Sequence, residues 1–225
     1  MTEINEQQLR SYRRMQDHLR TVLHWYDFVC PFCYVAQQRN AIFTRHGLRV
    51  VELPFQIHPD IPPGGIPMGP RSGPVYEMLE REAKEAGLLL HWPKRLPNTR
   101  LALAAAEWTR RHQPHAFPQL HKELFAAHFV LGEDLEESAA IDRHASESGI
   151  DLAALHAALG DGSAEAAVTE AEMVGRKYGV QGTPAWLLDQ RLIMGLRPPE
   201  ELERLAENSM QLSRAATTNP KATYS

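Results

Sequence analysis

The spacing of apolar side chains predicts an α/β unit near the start of the chain. A short apolar run over residues 23–29 is typical of a buried strand. A helix predicted over about 31–46 ends at Gly47, a residue suited to the left-handed end of a helix. Residues 48–57 alternate well enough between apolar and polar to predict a second strand. Strand, helix and strand in this order form a βαβ unit, so we expect the two strands to be parallel.

An irregular stretch and then a helical block are predicted next. Residues 60–74 are rich in proline and glycine, and we expect no regular structure there. This stretch is either a surface linker or a lid beside a functional site, since long loops are often functional. From residue 75 to 159 apolar residues recur at helical spacing, with Asn98 as a plausible N-cap.

The α/β pattern returns after the helical block. A helix is predicted from Ser163 to Gly179. Two short apolar runs, 185–188 and 191–194, are separated by two polar residues and predict a β-hairpin. A last helix is predicted to open at Pro198.

These patterns predict one α/β domain that is interrupted by an insertion. Residues 22–74 and 160–212 are predicted to form the α/β domain, with 75–159 as an inserted helical domain. The polar segments at the two ends, 1–21 and 213–225, are predicted to be an N-terminal arm and a disordered tail.

Composition narrows the classes of function. The chain has 225 residues, of which 43% are hydrophobic, enough for a sizeable core. A net charge of −4 provides no basic field for nucleic acid. No apolar run approaches a membrane span, and the polar N-terminus lacks the apolar core of a secretion signal, so we expect a soluble cytoplasmic protein. Two cysteines are too few for a disulfide-stapled secreted scaffold.

Both cysteines lie where the first strand meets the first helix, in Cys30-Pro31-Phe32-Cys33. Pro31 suits the first turn of a helix, which places Cys30 at the helix N-terminus, where unpaired N–H groups and the helix dipole favour a thiolate. Cys33 is expected to be more buried and placed to attack a mixed disulfide formed at Cys30. A zinc half-site and a structural pair stay open as alternatives, although no histidine pair at the usual spacing accompanies the thiols and we expect no metal.

Other side chains near these elements have two interpretations each. Asp27 either bonds to nearby backbone or is a buried carboxylate that takes the proton from the second cysteine. His24 and His58 are interpreted as surface or edge histidines. Trp92 and Tyr34 are either apolar walls of a substrate groove or core residues.

The order of these elements resembles a thioredoxin fold with a helical insertion between its βαβ and ββα halves, as in the DsbA-like family. Within that family the chain is similar to the cytosolic FrnE-type subgroup, which borders on the 2-hydroxychromene-2-carboxylate isomerases. Four stretches carry the resemblance over roughly residues 22–210: Asp27-Phe28-Val29-Cys30-Pro31-Phe32-Cys33-Tyr34, Asn98-Thr99-Arg100-Leu101-Ala102, Leu131-Gly132-Glu133-Asp134-Leu135 and Gly179-Val180-Gln181-Gly182-Thr183-Pro184. The first and the last are the specific ones.

The resemblance implies a substrate site around the two thiols. In the family the proline that matches Pro184 follows a cis peptide bond and faces the thiols, so the backbone of Thr183 would pair with an extended substrate segment. Pro31 and Phe32 would contact the substrate and help to set the reduction potential. The asparagine that matches Asn98 lies near the substrate in the isomerase relatives.

The leading hypothesis is therefore a thiol–disulfide oxidoreductase, with a disulfide or dithiol protein, or glutathione, as its partner. The alternative is a glutathione-dependent isomerase or transferase, although those relatives typically carry Ser in place of the first cysteine. A non-enzymatic binding module or chaperone is a third interpretation. The resemblance implies no cofactor other than glutathione as a co-substrate, and the oligomeric state stays open.

Overall fold

The computed structural model describes the backbone of residues 21–218 and the side chains of residues 21–212. The predicted N-terminal arm, except Thr21, and residues 219–225 of the predicted tail lie outside the described residues. Among the helices that are described, none is long and apolar enough to cross a membrane.

Strands and helices alternate at both ends of the described chain, and helices fill its middle. The elements are β1 (Thr21–Tyr26), α1 (Pro31–Arg45), β2 (Arg49–Pro54), β3 (Ile66–Pro67), α2 (Pro74–Glu85), β4 (Arg95–Leu96), α3 (Arg100–His112), α4 (Phe117–Ala126), a π-helix (Ala127–Leu131), α5 (Ser138–Glu147), α6 (Leu152–Gly160), α7 (Ser163–Lys177), β5 (Ala185–Leu188), β6 (Arg191–Met194) and α8 (Pro199–Thr218).

A four-stranded mixed sheet with the order β2-β1-β5-β6 forms the centre of the α/β part. β1 and β2 are parallel, as predicted, with Leu23 opposite Val51. β5 runs antiparallel to β1 and to β6, and the predicted hairpin has the predicted bounds. Asp189 and Gln190 in its turn have φ values of 48° and 63°. Two left-handed residues of this kind match the right-handed twist of the strands they join.

Helices cover both faces of this sheet. On one face α1 and α8 pack through Phe43, Trp186 and Leu202. On the other face α7 packs on β1 and β2 through apolar side chains that include Trp25 and Val174. The burial of these large side chains fixes which face of each strand points to which helix, because a shift of one residue would reverse every side chain.

The inserted helices build a core of their own that reaches the end of β1. Its fully buried members include Leu103 and Phe125 from the insertion together with Tyr26 and Phe28 from the strand end, and it extends to both cysteines. A half-buried ion pair also joins the insertion to α7, with Arg100 Nη1 donating to Glu172 Oε1 at 3.1 Å. The insertion therefore packs directly against the α/β part beside the thiols.

Three predictions about where regular structure lies are wrong. The stretch 60–74 is not wholly irregular, because β3 pairs antiparallel with β4, and strands of two residues are too short to leave a pattern in the sequence. The block 75–159 is not helical throughout: between α2 and α3 the chain carries Pro93 and Pro97, which lack the N–H that a helix needs.

The third wrong prediction is the start of the predicted disordered tail. α8 continues to Thr218, so residues 213–218 are helical. The chain contains no glycine or proline between Pro199 and Thr218, and it carries two good helix formers near the end, Ala215 and Ala216. Polarity alone was therefore a poor guide to where the helix stops.

Candidate functional site

Cys30 is the residue that caps the N-terminus of α1. Its backbone is extended, with φ −80° and ψ 111°, and Pro31 follows in the first turn of the helix. The N–H of Cys30 donates to the carbonyl of Asp27 at 3.1 Å, which closes the turn between β1 and α1. Both cysteines are free thiols; Cys30 is 3% exposed and Cys33, one turn later, is fully buried.

The pKa values of the two thiols are shifted in opposite directions. Burial raises the pKa of the Cys30 thiol, but hydrogen bonds from the side chain and backbone of Cys33 and from the Thr183 side chain outweigh burial, and the pKa lies below its ordinary value. Burial, and then the neighbouring Cys30 sulfur, raise the pKa of Cys33 well above the ordinary thiol value. Since the thiolate is the reactive form, Cys30 is the more reactive thiol of the pair and Cys33 is the harder of the two to deprotonate.

The loop before β5 lies against the Cys30 sulfur. The Cys30 thiol donates a hydrogen bond to the carbonyl oxygen of Thr183 at 3.3 Å, and the Thr183–Pro184 peptide bond is cis. While the thiol keeps its proton, the buried Thr183 Oγ1 has no hydrogen-bond partner among the described residues. Once Cys30 has lost its proton it no longer donates to the carbonyl, and the Thr183 hydroxyl is a donor that favours the thiolate.

Asp27 is a fully buried carboxyl group at the turn before Cys30. Its Oδ2 accepts the N–H of Ile57 at 2.8 Å and its Oδ1 accepts the N–H of Val29 at 3.4 Å. Burial raises its pKa from 3.8 to about 6, although the hydrogen bond from Ile57 opposes this shift. At neutral pH the side chain is therefore mostly an ionised proton acceptor with an unusually high affinity for a proton.

A cavity of about 490 Å³ opens beside the thiols. Cys30, Phe32 and Thr183 line it, and so do Arg71 and Trp92. None of the residues that line it is Asp or Glu. A reactive sulfur at the edge of a partly apolar cavity can meet a small molecule or a protruding peptide segment.

A model of the DSBA-like thioredoxin domain matches residues 21–207. The chain belongs to this family. The match spans both cysteines and Thr183, confirms the predicted thioredoxin fold with its helical insertion, and places the chain among the DsbA-like thiol oxidoreductases, a family of enzymes. A comparison with curated protein sequences gave no match.

Solved structures of DSBA-like proteins and their relatives share this fold. A probable DsbA oxidoreductase from Streptomyces coelicolor is 20% identical, with 85% of this chain and 90% of that chain covered and a TM-score of 0.68. A 2-hydroxychromene-2-carboxylate isomerase is 18% identical, with 91% and 100% covered and a TM-score of 0.64. The cytosolic disulfide reductase DsbM from Pseudomonas aeruginosa, in a structure with GSH, is 18% identical, with 88% and 99% covered and a TM-score of 0.58. Identities this low establish the fold and leave the reaction open.

In this DSBA-like chain, Asn98 lies apart from the cavity lining. Its Oδ1 accepts from Gln56 Nε2 at 2.7 Å and from the N–H of Arg100 at 3.0 Å, and its Nδ2 donates to the carbonyl of Ile61 at 2.9 Å. It was predicted as the N-cap of its helix, but Thr99 holds that position and the Asn98 side chain bonds to the first helical N–H. Its predicted contact with substrate stays a prediction.

The remaining candidates separate into cavity and core. Trp92 and the exposed His58 line the cavity. Tyr34 is a core residue: it is 4% exposed, stacks on Phe129 and donates to the carbonyl of Leu89 at 2.6 Å. The interpretation of His24 as a surface or edge histidine is wrong, because β1 is a central strand and its ring is 1% exposed and stacks on a buried indole.

Among the cavity residues that the sequence analysis did not single out are three basic side chains: Arg71, Arg95 and His128. They come from a loop, a two-residue strand and a π-helix, none of which leaves a periodic signal. The only available signal was the interpretation of residues 60–74 as a lid beside the thiols, and that stretch does supply Arg71 and Met68 to the cavity.

Metal-ligating side chains do not cluster in the part of the chain that is described. Across residues 21–212 no three His, Cys, Asp or Glu side chains are grouped so that they could hold an ion.

Proposed function

We propose that this protein is a thiol–disulfide oxidoreductase that uses Cys30 and Cys33 as its redox couple. The observation that carries the proposal is the opposite acidity of two adjacent thiols at a helix N-terminus, one facing a cavity and one buried behind it. A structural pair of cysteines has no need of a thiol with a lowered pKa.

In the direction of disulfide reduction, the reaction has two exchanges. The Cys30 thiolate attacks one sulfur of the substrate disulfide, a Cys30–sulfur bond forms, and the first substrate thiolate leaves. Cys33 then loses its proton and attacks the Cys30 sulfur, which releases the second substrate thiolate and leaves a Cys30–Cys33 disulfide. The substrate gains two electrons and the protein dithiol loses them. Oxidation of a dithiol substrate is the same sequence in reverse.

Asp27 is proposed as the acceptor of the Cys33 proton. Its carboxyl group is buried at the turn between β1 and α1, just before Cys30. Its pKa of about 6 means that it holds a proton more readily than an exposed carboxylate does. Pro31, Phe32 and the Thr183–Pro184 segment border the Cys30 sulfur and are proposed to contact the substrate. No cofactor is needed for these exchanges, and glutathione is proposed as a co-substrate that recycles the pair, in a cytoplasmic setting.

The test is to trap the mixed disulfide. Cys33→Ser removes the resolving thiol, so incubation with oxidised glutathione should leave one glutathione on Cys30, detected by intact mass and peptide mapping. Cys30→Ser should trap none at Cys33, because the buried thiol keeps its proton. Equilibration of the wild type in glutathione redox buffers should give a two-electron transition between dithiol and disulfide.

These experiments also separate the glutathione-dependent isomerase or transferase alternative. If the wild-type cysteines never pair across the redox range and Cys30→Ser retains specific, non-covalent glutathione binding, the oxidoreductase proposal is wrong. Full disulfide-exchange activity of Cys30→Ser would also contradict it.

A further inference from the structure

One wall of the cavity, formed by Arg71, Tyr76 and Trp92, carries a guanidinium group that is held in place by two aromatic rings. The Arg71 Cζ atom lies 5.6 Å from the centre of the Tyr76 ring and 5.9 Å from the Trp92 ring, and the two rings meet edge to face at 5.2 Å. Arg71 Nη1 donates to the Tyr76 hydroxyl at 3.2 Å. Cation–π contacts and a hydrogen bond orient the guanidinium without neutralising its charge.

Arg71 keeps an unused hydrogen-bond donor. Its Nε atom is buried and has no partner among the described residues. No carboxylate of the described residues forms an ion pair with it, and Glu80 instead accepts from Trp92 Nε1 at 2.7 Å. A buried N–H on a cation is costly to leave unpaired, so the arrangement favours an acceptor that enters the cavity.

Arg95 adds a second guanidinium to the same wall. It is exposed, and its Nη2 makes only a long hydrogen bond of 3.4 Å to the carbonyl of Gly65. The pairing of β3 with β4 places this arginine beside the segment that carries Arg71. That pairing is close: a Cβ atom on Gly65 would lie 2.7 Å from the carbonyl oxygen of Leu96.

A buried imidazole also faces the cavity. His128 lines it, is 2% exposed, and its Nδ1 has no partner among the described residues. Burial, together with the charge of Arg71, lowers the pKa of His128 to about 4, so the ring is neutral at pH 7. The side chains that line the cavity therefore include two arginines and no carboxylate.

We propose that Arg71 and Arg95 form an anion-binding subsite beside Cys30 that selects small disulfides and thiols carrying carboxylates. The inference rests on the proposed function, because it uses Cys30 as the reacting sulfur. The planar fork of a guanidinium matches a carboxylate and can form paired, charge-assisted hydrogen bonds with it. In the exchange, the subsite holds the carboxylate while the Cys30 thiolate attacks the disulfide and one substrate thiolate leaves.

The test measures charge preference with three disulfides of nearly equal size. Reduced wild-type protein is mixed with 3,3′-dithiodipropionate, 2-hydroxyethyl disulfide or cystamine, which carry two negative charges, none and two positive charges. The formation of the protein disulfide is followed by alkylation and intact mass. Each rate constant is divided by that of dithiothreitol with the same disulfide, which corrects for intrinsic reactivity. The expected normalised order is anionic, then neutral, then cationic, with a preference that falls as salt is added.

The variants show which side chains cause the preference. Arg71→Gln and Arg95→Gln should each lower the ratio of anionic to neutral rates by about fivefold, the size expected of one charge pair near water, and the double variant should abolish the preference. Arg81→Gln on the exposed side of α2 and Arg49→Gln at the other end of the sheet remove the same charge and should leave the ratio within twofold. Arg95 is exposed, so its variant keeps the test valid if Arg71→Gln does not fold.

The outcomes distinguish the subsite from the proposed function. Equal normalised rates for the three disulfides would overturn the subsite. So would a fall in the anionic-to-neutral ratio that is as large in Arg81→Gln and Arg49→Gln as in the subsite variants. Neither result would contradict the proposed oxidoreductase function. Failure of the reduced protein to react with any of the three would instead overturn the proposed function on which the subsite rests.

Discussion

Replacement of Asp27 by asparagine should make the protein more stable at high pH and slower in its second exchange. The carboxyl group is fully buried and accepts from the backbone N–H groups of Ile57 and Val29. The Thr99 side chain and His58 also favour its ionised form, but burial outweighs them. Burial raises its pKa from 3.8 to about 6. The folded protein therefore binds this proton more tightly than the unfolded chain does.

The sign and size of the pH dependence of stability follow from this difference in proton affinity between the folded and unfolded states. Below pH 3.8 the group is protonated in both states and costs nothing, and as the pH rises through about 6 the folded state must hold a buried charge. At about 1.4 kcal/mol for each pKa unit, ionisation destabilises the folded state by about 3 kcal/mol at pH 8 and about half of that at pH 5. The amide side chain of the Asp27→Asn variant has no charge to bury, but its NH₂ group meets the N–H of Val29 or Ile57, which costs about 1 kcal/mol at every pH.

The assay is urea unfolding of the reduced wild type and Asp27→Asn at pH 5, 6, 7 and 8. The stability of the variant relative to the wild type should rise by about 1.4 kcal/mol from pH 5 to pH 8, because the constant cost of the amide cancels in the comparison. A difference that is flat with pH would refute the reasoning, since it would mean that Asp27 titrates near its ordinary pKa. Asp161→Asn is the control: hydrogen bonds from Ser163 lower the pKa of that exposed carboxyl from 3.8, so any loss in that variant should be constant from pH 5 to pH 8 and fade only below pH 3.8.

The same variant tests the proton-transfer role. In a stopped-flow experiment that resolves a preformed Cys30 mixed disulfide, Asp27→Asn should slow the attack of Cys33 by a factor of about 100 or more. A variant that gains stability at pH 8 and keeps the wild-type rate of resolution would show that Asp27 is a buried carboxyl group without a part in the exchange.

Two further predictions concern the packing around the site. Cys33→Ala should raise the pKa of Cys30, because it removes the side-chain hydrogen bond that favours the thiolate; the pH dependence of thiolate absorbance at 240 nm measures this, and an unchanged midpoint would contradict it. Gly175→Ala should destabilise the fold by about 1–3 kcal/mol in urea unfolding, because the added Cβ would lie 2.9 Å from Nε1 of the buried Trp25. Gly160→Ala, which meets nothing within 4 Å, is the matched control and should be close to neutral.

The parts of the fold that were predicted correctly are those with local signals. The hairpin 185–194 has two apolar runs and two polar residues between them, and its observed strands have the predicted bounds. The first helix differs from its prediction by one residue because Pro31 and Gly47 mark its two ends in the sequence. The cysteines lie at the helix start for the same local reason.

The other half of the site depends on contacts that the sequence does not encode locally. Arg95 and Arg71 reach one wall because two short strands, far apart in the sequence, pair with each other. His24 was expected at the surface because histidine is polar, yet β1 is central and the ring is enclosed between neighbours that include Trp186. Where a polar side chain ends up is decided by tertiary packing and not by its own hydropathy.

The order of the two exchanges follows from the environment of Cys33. Two groups of causes hold its pKa up: burial, and then the hydrogen bond and charge of the neighbouring Cys30 sulfur. When Cys30 enters a mixed disulfide, its sulfur loses its negative charge and accepts only a weak hydrogen bond from Cys33. The effect of the Cys30 sulfur on the pKa of Cys33 is then largely removed, and only burial still raises that pKa. The proposed transfer of the proton to the buried Asp27 carboxylate then costs less free energy than before. In the proposed mechanism Cys33 is therefore activated by the first exchange itself, which keeps the buried thiol unreactive until there is a mixed disulfide to resolve.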